Sequence, residues 1–404
     1  MIYLVLVYFA ILLFYSLKKR YWLPGIFLVS VYTFSLVFSI VLLGTTNEYH
    51  VDALSSFLFI IGTFLLFSPF LIKRPVIVAN YNANFVKVFS ITGYSIGTVI
   101  VLCSIVLMPY IKEVFILGLA NARAASMEGE QIVEFAARSI PAYSYRMLSM
   151  LYPLSYALLL LFFYSFSFYR KKAFLNTVLF LSSFAGIIIG IFNGGRTNVI
   201  YWVLSFISFF VIFYPYLSNG KKVASFIISG LFFSIITVYF IAVSDARFGD
   251  TTMGTESSLL HYTGTPFLNF CDFIQRYNAD HFSLRRIFPF LSEILSGPMN
   301  ITQYRDIIYQ KSHMDIGLFY TMLGDLYVDI GLIGMLIYLS IYSCLAQKNV
   351  NKRNYSLSQL LIFLVFYLIP LQGLFYYSYW RSVVTIDSIG IIVYSVFIRR
   401  KYNA

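Results

Sequence analysis

The sequence predicts an all-α, polytopic integral membrane protein, and three observations carry that expectation. Of 404 residues, 59% are hydrophobic and 11% charged, against roughly 45–50% and about 25% in a soluble chain. Apolar runs of about 20 residues, the length that spans a bilayer as a helix, recur along the chain. Basic clusters fall in the short gaps between alternate runs. So little charge cannot cover a soluble surface, and so much apolar content excludes disorder. The 20% aromatic share argues against a coiled coil.

Reading for spanning runs gives about 11 transmembrane helices, near 1–17, 22–43, 53–72, 88–110, 147–168, 173–192, 198–217, 223–243, 324–346, 357–379 and 382–398. The first run lacks a basic leader, and Lys18-Lys19-Arg20 follows it. It is therefore expected to be an uncleaved span with its N-terminus outside. The remaining basic clusters then fall on the same side as Lys18–Arg20: Lys73-Arg74 with Lys87, Arg170–Lys172, Lys221-Lys222, Lys348 with Lys352-Arg353, and Arg399–Lys401. That side holds 17 of the 29 Lys and Arg and none of the 17 Asp and Glu. The opposite side carries a net −5, so the formal +12 of the chain is a topology signal rather than a nucleic-acid surface. No nucleic-acid partner is expected. The chain reads as one domain, 1–404, with two long outer loops at about 111–146 and 244–323. Long loops on a rigid scaffold carry function disproportionately.

Few familiar chemistries are present. Three cysteines give no disulfide framework, and no His or Cys pair has zinc-ligand spacing. Cys271 falls in the second loop. There is no Walker loop or dinucleotide fingerprint, and the inner loops are too short for a nucleotide-sugar site. Neither cofactor nor metal is expected.

The outer face is instead rich in arginine. Ten of its twelve basic residues are Arg: Arg123, Arg138, Arg146, Arg196, Arg247, Arg276, Arg285, Arg286, Arg305 and Arg381. Arginine offers a planar fork that binds phosphate or carboxylate in two places. The plainer alternative for each is an ion pair with an outer acid. Arg196, in Asn193-Gly194-Gly195-Arg196-Thr197, stands at membrane depth before a helix whose N-terminal amides favour an anion. Its alternative is a hairpin turn with a snorkelling arginine. Arg247 follows the eighth run and has Asp245 and Asp250 beside it. Near the ninth run, Asp325 and Asp329 are four apart and share one helical face. Acids entering a span line a cavity or bind a partner, and Asp325 is a candidate general base toward a sugar hydroxyl. The alternative is a pair of acids complementing the helix dipole. Tyr262, Tyr320 and other outer tyrosines can stack on sugars or belong to the interfacial belt. Asp387, inside the last run, is a functional candidate or a partner for Arg381.

Taken together, these features resemble the Wzy-type O-antigen polymerases, the oligosaccharide repeat unit polymerases. The resemblance rests on the span number, the short basic inner loops, the large outer loop in the second half and several local matches. These are Gly194-Gly195-Arg196-Thr197, Arg247 after the next outward helix, Tyr262-Thr263-Gly264-Thr265-Pro266-Phe267, and Tyr320-Thr321 with Asp325 and Asp329-Ile330-Gly331. It implies a GT-C-like scaffold in a bacterial inner membrane, with the C-terminus cytoplasmic. The implied substrate is an oligosaccharide repeat unit on undecaprenyl pyrophosphate, and the implied partner is a chain-length-determinant co-polymerase. The resemblance carries Arg196, Arg247, Tyr320, Thr321 and Asp325 over as site candidates but fixes no general base; with Asp325 as base inferred from its own placement, Arg196, Arg247 and Asp325 are the expected catalytic residues. Arg196, Arg247, Tyr262, Arg276, Tyr320, Thr321 and Arg381 are expected to bind substrate. A lipid-linked oligosaccharide flippase or other transporter, an O-antigen ligase and a non-enzymatic scaffold are the competing readings.

The topology is directly testable. Reporter fusions after Lys172, Lys222 and Ala404 should report the cytoplasm, and fusions near Met127 and Asn278 the outer side. An outer report at Ala404 would contradict the eleven-span arrangement.

Overall fold

A computed structural model of the chain describes residues 1–45, 49–73, 77–78, 83–117, 141–169, 173–193, 195–248, 254–277, 281, 284–297, 301–314, 319–377, 379 and 381–403. Most of the first predicted loop, including Arg123 and Arg138, lies outside these residues, as does the side chain of Arg247. The fold is mostly helical. In chain order the helices are α1 (Ile2–Lys18), α2 (Leu23–Thr45), α3 (Ala53–Phe67), α4 (Ala83–Leu117), α5 (Ala142–Leu151), α6 (Ser155–Phe168), α7 (Ala173–Ser182), α8 (Ala185–Phe192) and α9 (Thr197–Phe213). They continue with α10 (Asn219–Phe248), α11 (Gly254–Arg276), α12 (Pro289–Ser296), α13 (Ile301–Ser312), α14 (Thr321–Val350), α15 (Leu357–Gln372) and α16 (Ser382–Asn403). Two short strands, β1 (Ile77–Val78) and β2 (Asn354–Tyr355), pair in parallel.

Seven helical segments among the described residues are long and apolar enough to cross a membrane, and α1, α15 and the apolar part of α16 are shorter apolar helices. The expected apolar runs overlap helices, but run 173–192 is divided between α7 and α8 by a turn at 183–184, and run 357–379 extends past the end of α15 at Gln372. The surface supports the membrane reading independently. On α14, Ile333, Ile337, Ile341 and Leu345 are exposed at spacings of four, while Met335, Leu339, Tyr342 and Ala346 are buried. A helix that shows isoleucine to its surroundings at each turn is solvated by lipid, not water.

The described residues form two compact units. The first comprises Met1–Ala79 and Leu259–Arg399, the second Asn80–Ser258 and the C-terminal residues. In the second unit, α4 packs on α5 and α7, α6 packs on α7 and α9, and α8 packs on α9. Rings fill this core, with Trp202 stacked on Phe184 and Phe206 at centroid distances of 4.8 and 5.2 Å.

In the first unit, α14 packs on α3 and α15, and α1 on α2 and α3. Its basic stretches gather at one end. Tyr21 bridges to Lys73, Ile77 N donates to Arg353 O at 2.9 Å, and Trp22 stacks on Tyr355. Val350, the last residue of α14, lies beside this end, because Tyr355 Oη donates to its carbonyl. Helix α14 breaks at Gly331, and residues 332–350 beyond the break reach roughly 28 Å. The residues before the break therefore lie well away from this end.

Helix α11 departs from the expected loop. Its residues Phe267, Leu268, Phe270 and Cys271 are buried, so Cys271 stands in a packed helix and burial pushes its thiol up to about 12. The helix escapes hydropathy reading because Glu256, His261, Asn269 and Asp272 dilute its apolar face and Pro266 interrupts it. It lies against α2, where Ser35 Oγ and Ser39 Oγ donate to the carbonyls of Thr263 and Gly264 at 2.6 and 2.7 Å. Gly264 permits this approach, since a Cβ there would stand 2.9 Å from the Phe38 carbonyl. Proline is also accommodated in α15. Pro370 has no N–H for the Phe366 carbonyl, and Tyr342 Oη donates to that carbonyl at 2.8 Å instead.

Overpacking typically costs about 1–3 kcal/mol. Gly264→Val should therefore lower thermal stability in detergent by about that amount, whereas Gly230→Val, with open space around its Cβ position, should change it little.

Candidate functional site

At the end of the first unit remote from the basic stretches, two acids of α14 hold one loop. Asp329 takes its backbone. The carboxylate accepts from the amides of Arg285, Arg286 and Ile287 at 3.2, 3.2 and 3.1 Å. Three successive amides turned toward one anion form a concave cradle. The left-handed Leu284, at φ 54°, starts the turn that presents them. Asp325 takes the side chain. Its Oδ1 pairs with Arg286 Nη1, and its Oδ2 accepts from the Tyr377 amide at 2.6 Å. Both acids are fully buried, and Arg286 is 6% exposed.

The ring of Tyr320 completes the cluster. The Arg286 guanidinium lies 5.4 Å from its centroid, and the Phe273 ring stacks with it at 4.3 Å. Burial works against the Arg286 charge, but the Asp325 carboxylate more than offsets it, with Tyr320 and Tyr304 adding to the effect. The guanidinium is held above its ordinary value. Burial likewise pushes the Tyr320 hydroxyl well up, against the pull of Arg286, so it remains protonated.

The helix that carries these acids is held at both margins. At its start, Thr321 adopts φ 63°, a conformation that costs a β-branched residue of order 1–3 kcal/mol. Bonds on either side fix it: Met322 N donates to Gly373 O at 2.7 Å, and Asn269 Nδ2 donates to Phe319 O at 2.6 Å. Ten residues later α14 breaks at Gly331, with φ 69° and ψ −178°. That region is open essentially only to glycine, and a Cβ there would also meet the His281 ring at 3.2 Å. His281 Nδ1 lies 3.2 Å from the Val328 carbonyl. A carbonyl only accepts, so Nδ1 carries the proton.

The expected site residues are distributed as follows. Asp325, Tyr320 and Thr321 come together with Arg286. Tyr262 belongs to the adjoining aromatic group, 4.4 Å from Phe319, which in turn meets Phe375 and Tyr376. Arg276 is largely exposed and pairs with Asp272 at 2.8 Å, one helical turn away, an arrangement worth little on its own. Arg381 is exposed at the start of α16. Arg196 lies in the second unit, 2% exposed, as the residue preceding α9. Its turn is tight: Gly195 N donates to Gly190 O at 2.8 Å, Asn198 Nδ2 donates to Gly186 O at 2.9 Å, and Tyr145 Oη donates to Asn193 Oδ1 at 3.0 Å. Arg247 closes α10 in the same unit.

Sequence reasoning singled out neither Arg286 nor the cradle around Asp329. A signal was present: two acids on the buried face of one apolar helix require a cation, and Arg285-Arg286 is the adjacent arginine pair of the second loop. Among the described residues, no group of three or more His, Cys, Asp or Glu is arranged to hold a metal ion. The chain matches no known family model, no curated protein and no solved structure.

Removing one partner of a buried pair costs about 3–5 kcal/mol, whereas an apolar replacement of both is often close to neutral. Asp325→Leu or Arg286→Met alone should therefore lower unfolding stability by that amount. The double variant should recover most of the loss in a thermal double-mutant cycle; additive losses would show that the pair is not coupled.

Proposed function

We propose that this chain is a membrane glycosyltransferase. It polymerises undecaprenyl-pyrophosphate-linked oligosaccharide repeat units into O-antigen or capsule-type polysaccharide at the outer face of a bacterial inner membrane. The observation that carries the reading is the buried Arg286, paired with the Asp325 carboxylate at the end of the first unit remote from the basic stretches. That is where a charged lipid headgroup presented on the side opposite the positive-inside loops would arrive. The proposal includes eleven spans, a GT-C-like scaffold, an outer N-terminus and a cytoplasmic C-terminus. A chain-length-determinant co-polymerase is the proposed partner.

In the proposed reaction the acceptor hydroxyl attacks the anomeric carbon of the donor. A new carbon–oxygen bond forms, the bond to pyrophosphate breaks, and the hydroxyl proton passes to a base. Lipid pyrophosphate leaves, its growing charge stabilised by arginine. From the sequence pattern, Arg196 and Arg247 are the proposed pyrophosphate ligands. Both oxygens of Asp325 are engaged at rest. An incoming anion that draws Arg286 away frees Oδ1 to accept the proton, which couples donor binding to base activation. Tyr262, Tyr320, Thr321, Arg276 and Arg381 are assigned to substrate binding in the same proposal.

The Gly331 break favours one alternative. Discontinuous spanning helices with functional groups at the break are characteristic of transporters, so a lipid-linked oligosaccharide flippase is the second reading. An O-antigen ligase would share the donor and differ in acceptor.

Surface glycan separates the three. Deleting the gene should leave a single repeat unit on its acceptor. Loss of a flippase removes even that product, and loss of a ligase leaves polymer on the lipid carrier. A normal ladder would refute the assignment. Each charge-assisted contact is worth roughly 1.5–3 kcal/mol, so Arg196→Ala or Arg247→Ala should cut polymer yield by about one to two powers of ten, while Arg305→Ala should not. Unchanged yield in both would remove these arginines from the site.

A further inference from the structure

Helix α12 is built inside out. Its buried residues are Pro289 and Ser292, whereas Phe290, Leu291, Ile294 and Leu295 are 50%, 43%, 64% and 70% exposed. The four fall at i, i+1, i+4 and i+5, which is one face of a helix. Four large apolar side chains turned outward while a serine turns inward is the reverse of a helix on a wet surface.

The neighbours of α12 set its depth. Ser382 Oγ donates to Glu293 Oε1 at 3.1 Å. Ser382 is the first residue of α16, an apolar helix along which Ile386, Ile389, Val393 and Phe397 are exposed on one side. The contact thus pins α12 level with the point where a lipid-facing helix begins. Cations mark the same level. Arg381 is exposed immediately before α16, and Arg285 stands at the loop leading into α12. Arginines at the margin of an apolar face match the phosphate layer of a bilayer, with acyl chains below. A water-facing helix would gain nothing from this arrangement, and a protein partner would not explain its alignment with α16.

We propose that α12 is an interfacial helix. Its Phe290, Leu291, Ile294 and Leu295 face is embedded among the acyl chains of the leaflet at the Arg286 end, and Arg285 and Arg381 meet lipid phosphates. The helix thereby anchors the 284–287 loop, and with it Arg286, at headgroup depth. This inference requires a bilayer around the first unit and does not depend on the proposed chemistry.

The test uses the full chain in vesicles of phosphatidylethanolamine and phosphatidylglycerol. Single cysteines replace residues 290 to 295 in turn, in a background carrying Cys103→Ser, Cys271→Ala and Cys344→Ser, and each is spin-labelled. Labels at 290, 291, 294 and 295 should collide several-fold more often with oxygen, which partitions into lipid, than with a water-soluble nickel chelate. Position 293 should show the opposite preference. Preference for the nickel chelate at all four sites would overturn the proposal. So would dipolar broadening between labels at these sites, which would identify the face as a contact between copies. A second measurement avoids the cysteine background: a benzophenone amino acid in place of Leu295 in the otherwise native chain. Photolysis should yield a phospholipid adduct; a crosslinked dimer, or no lipid adduct, would overturn the proposal.

Discussion

The pairing of Arg286 with Asp325 is the constraint on which this end of the first unit depends. Each charge alone would be costly to bury, by several kcal/mol even after relaxation. Together they satisfy one another and draw three separate segments to one point: the start of α14, the 284–287 loop and the backbone at Tyr377. Asp329 makes the arrangement definite. By holding the amides of residues 285 to 287 it fixes the direction in which Arg286 leaves the loop. The two acids lie one turn apart on a single helix, so backbone and side chain of the loop are gripped by the same rigid element.

Rigidity on either side of the cluster comes from close approaches of backbone. Met322 and Gly373 join the beginning of α14 to the end of α15. The Gly331 break sets the length of the segment that carries the acids, and His281 covers the Val328 carbonyl beside it. Beyond the break, residues 332 to 350 form a stretch of roughly 28 Å, close to the thickness of a bilayer core. The acids therefore stand on the short helical segment that precedes the break.

Much of this was legible in the sequence because hydropathy is local. The apolar runs mark most of the helices, and the basic clusters at 18–20, 73 and 352–353 do gather at one end of the first unit. The spacing of Asp325 and Asp329 and the glycine at 331 were also visible as pattern. What escaped was non-local. Arg286 and Asp325 are 39 residues apart, and nothing in the immediate neighbourhood of either names the other. Helix α11 was read as loop because its apolar face is interleaved with polar residues that bond to α2 and to the 319 backbone. In α12 the apolar residues are plain in the sequence, but whether they face in or out is a property of the packing.

The proposed function is the joining of lipid-linked saccharides, with Arg286 at the site. Its most direct test is turnover by the purified protein in liposomes, supplied only with undecaprenyl-pyrophosphate-linked repeat units. A polymerase should give a ladder of polymers with release of lipid pyrophosphate, and turnover should fall with Arg286→Lys, which keeps the charge and loses the fork. Repeat units that cross the bilayer unpolymerised, or a ladder unaffected by Arg286→Lys in a folded protein, would contradict it.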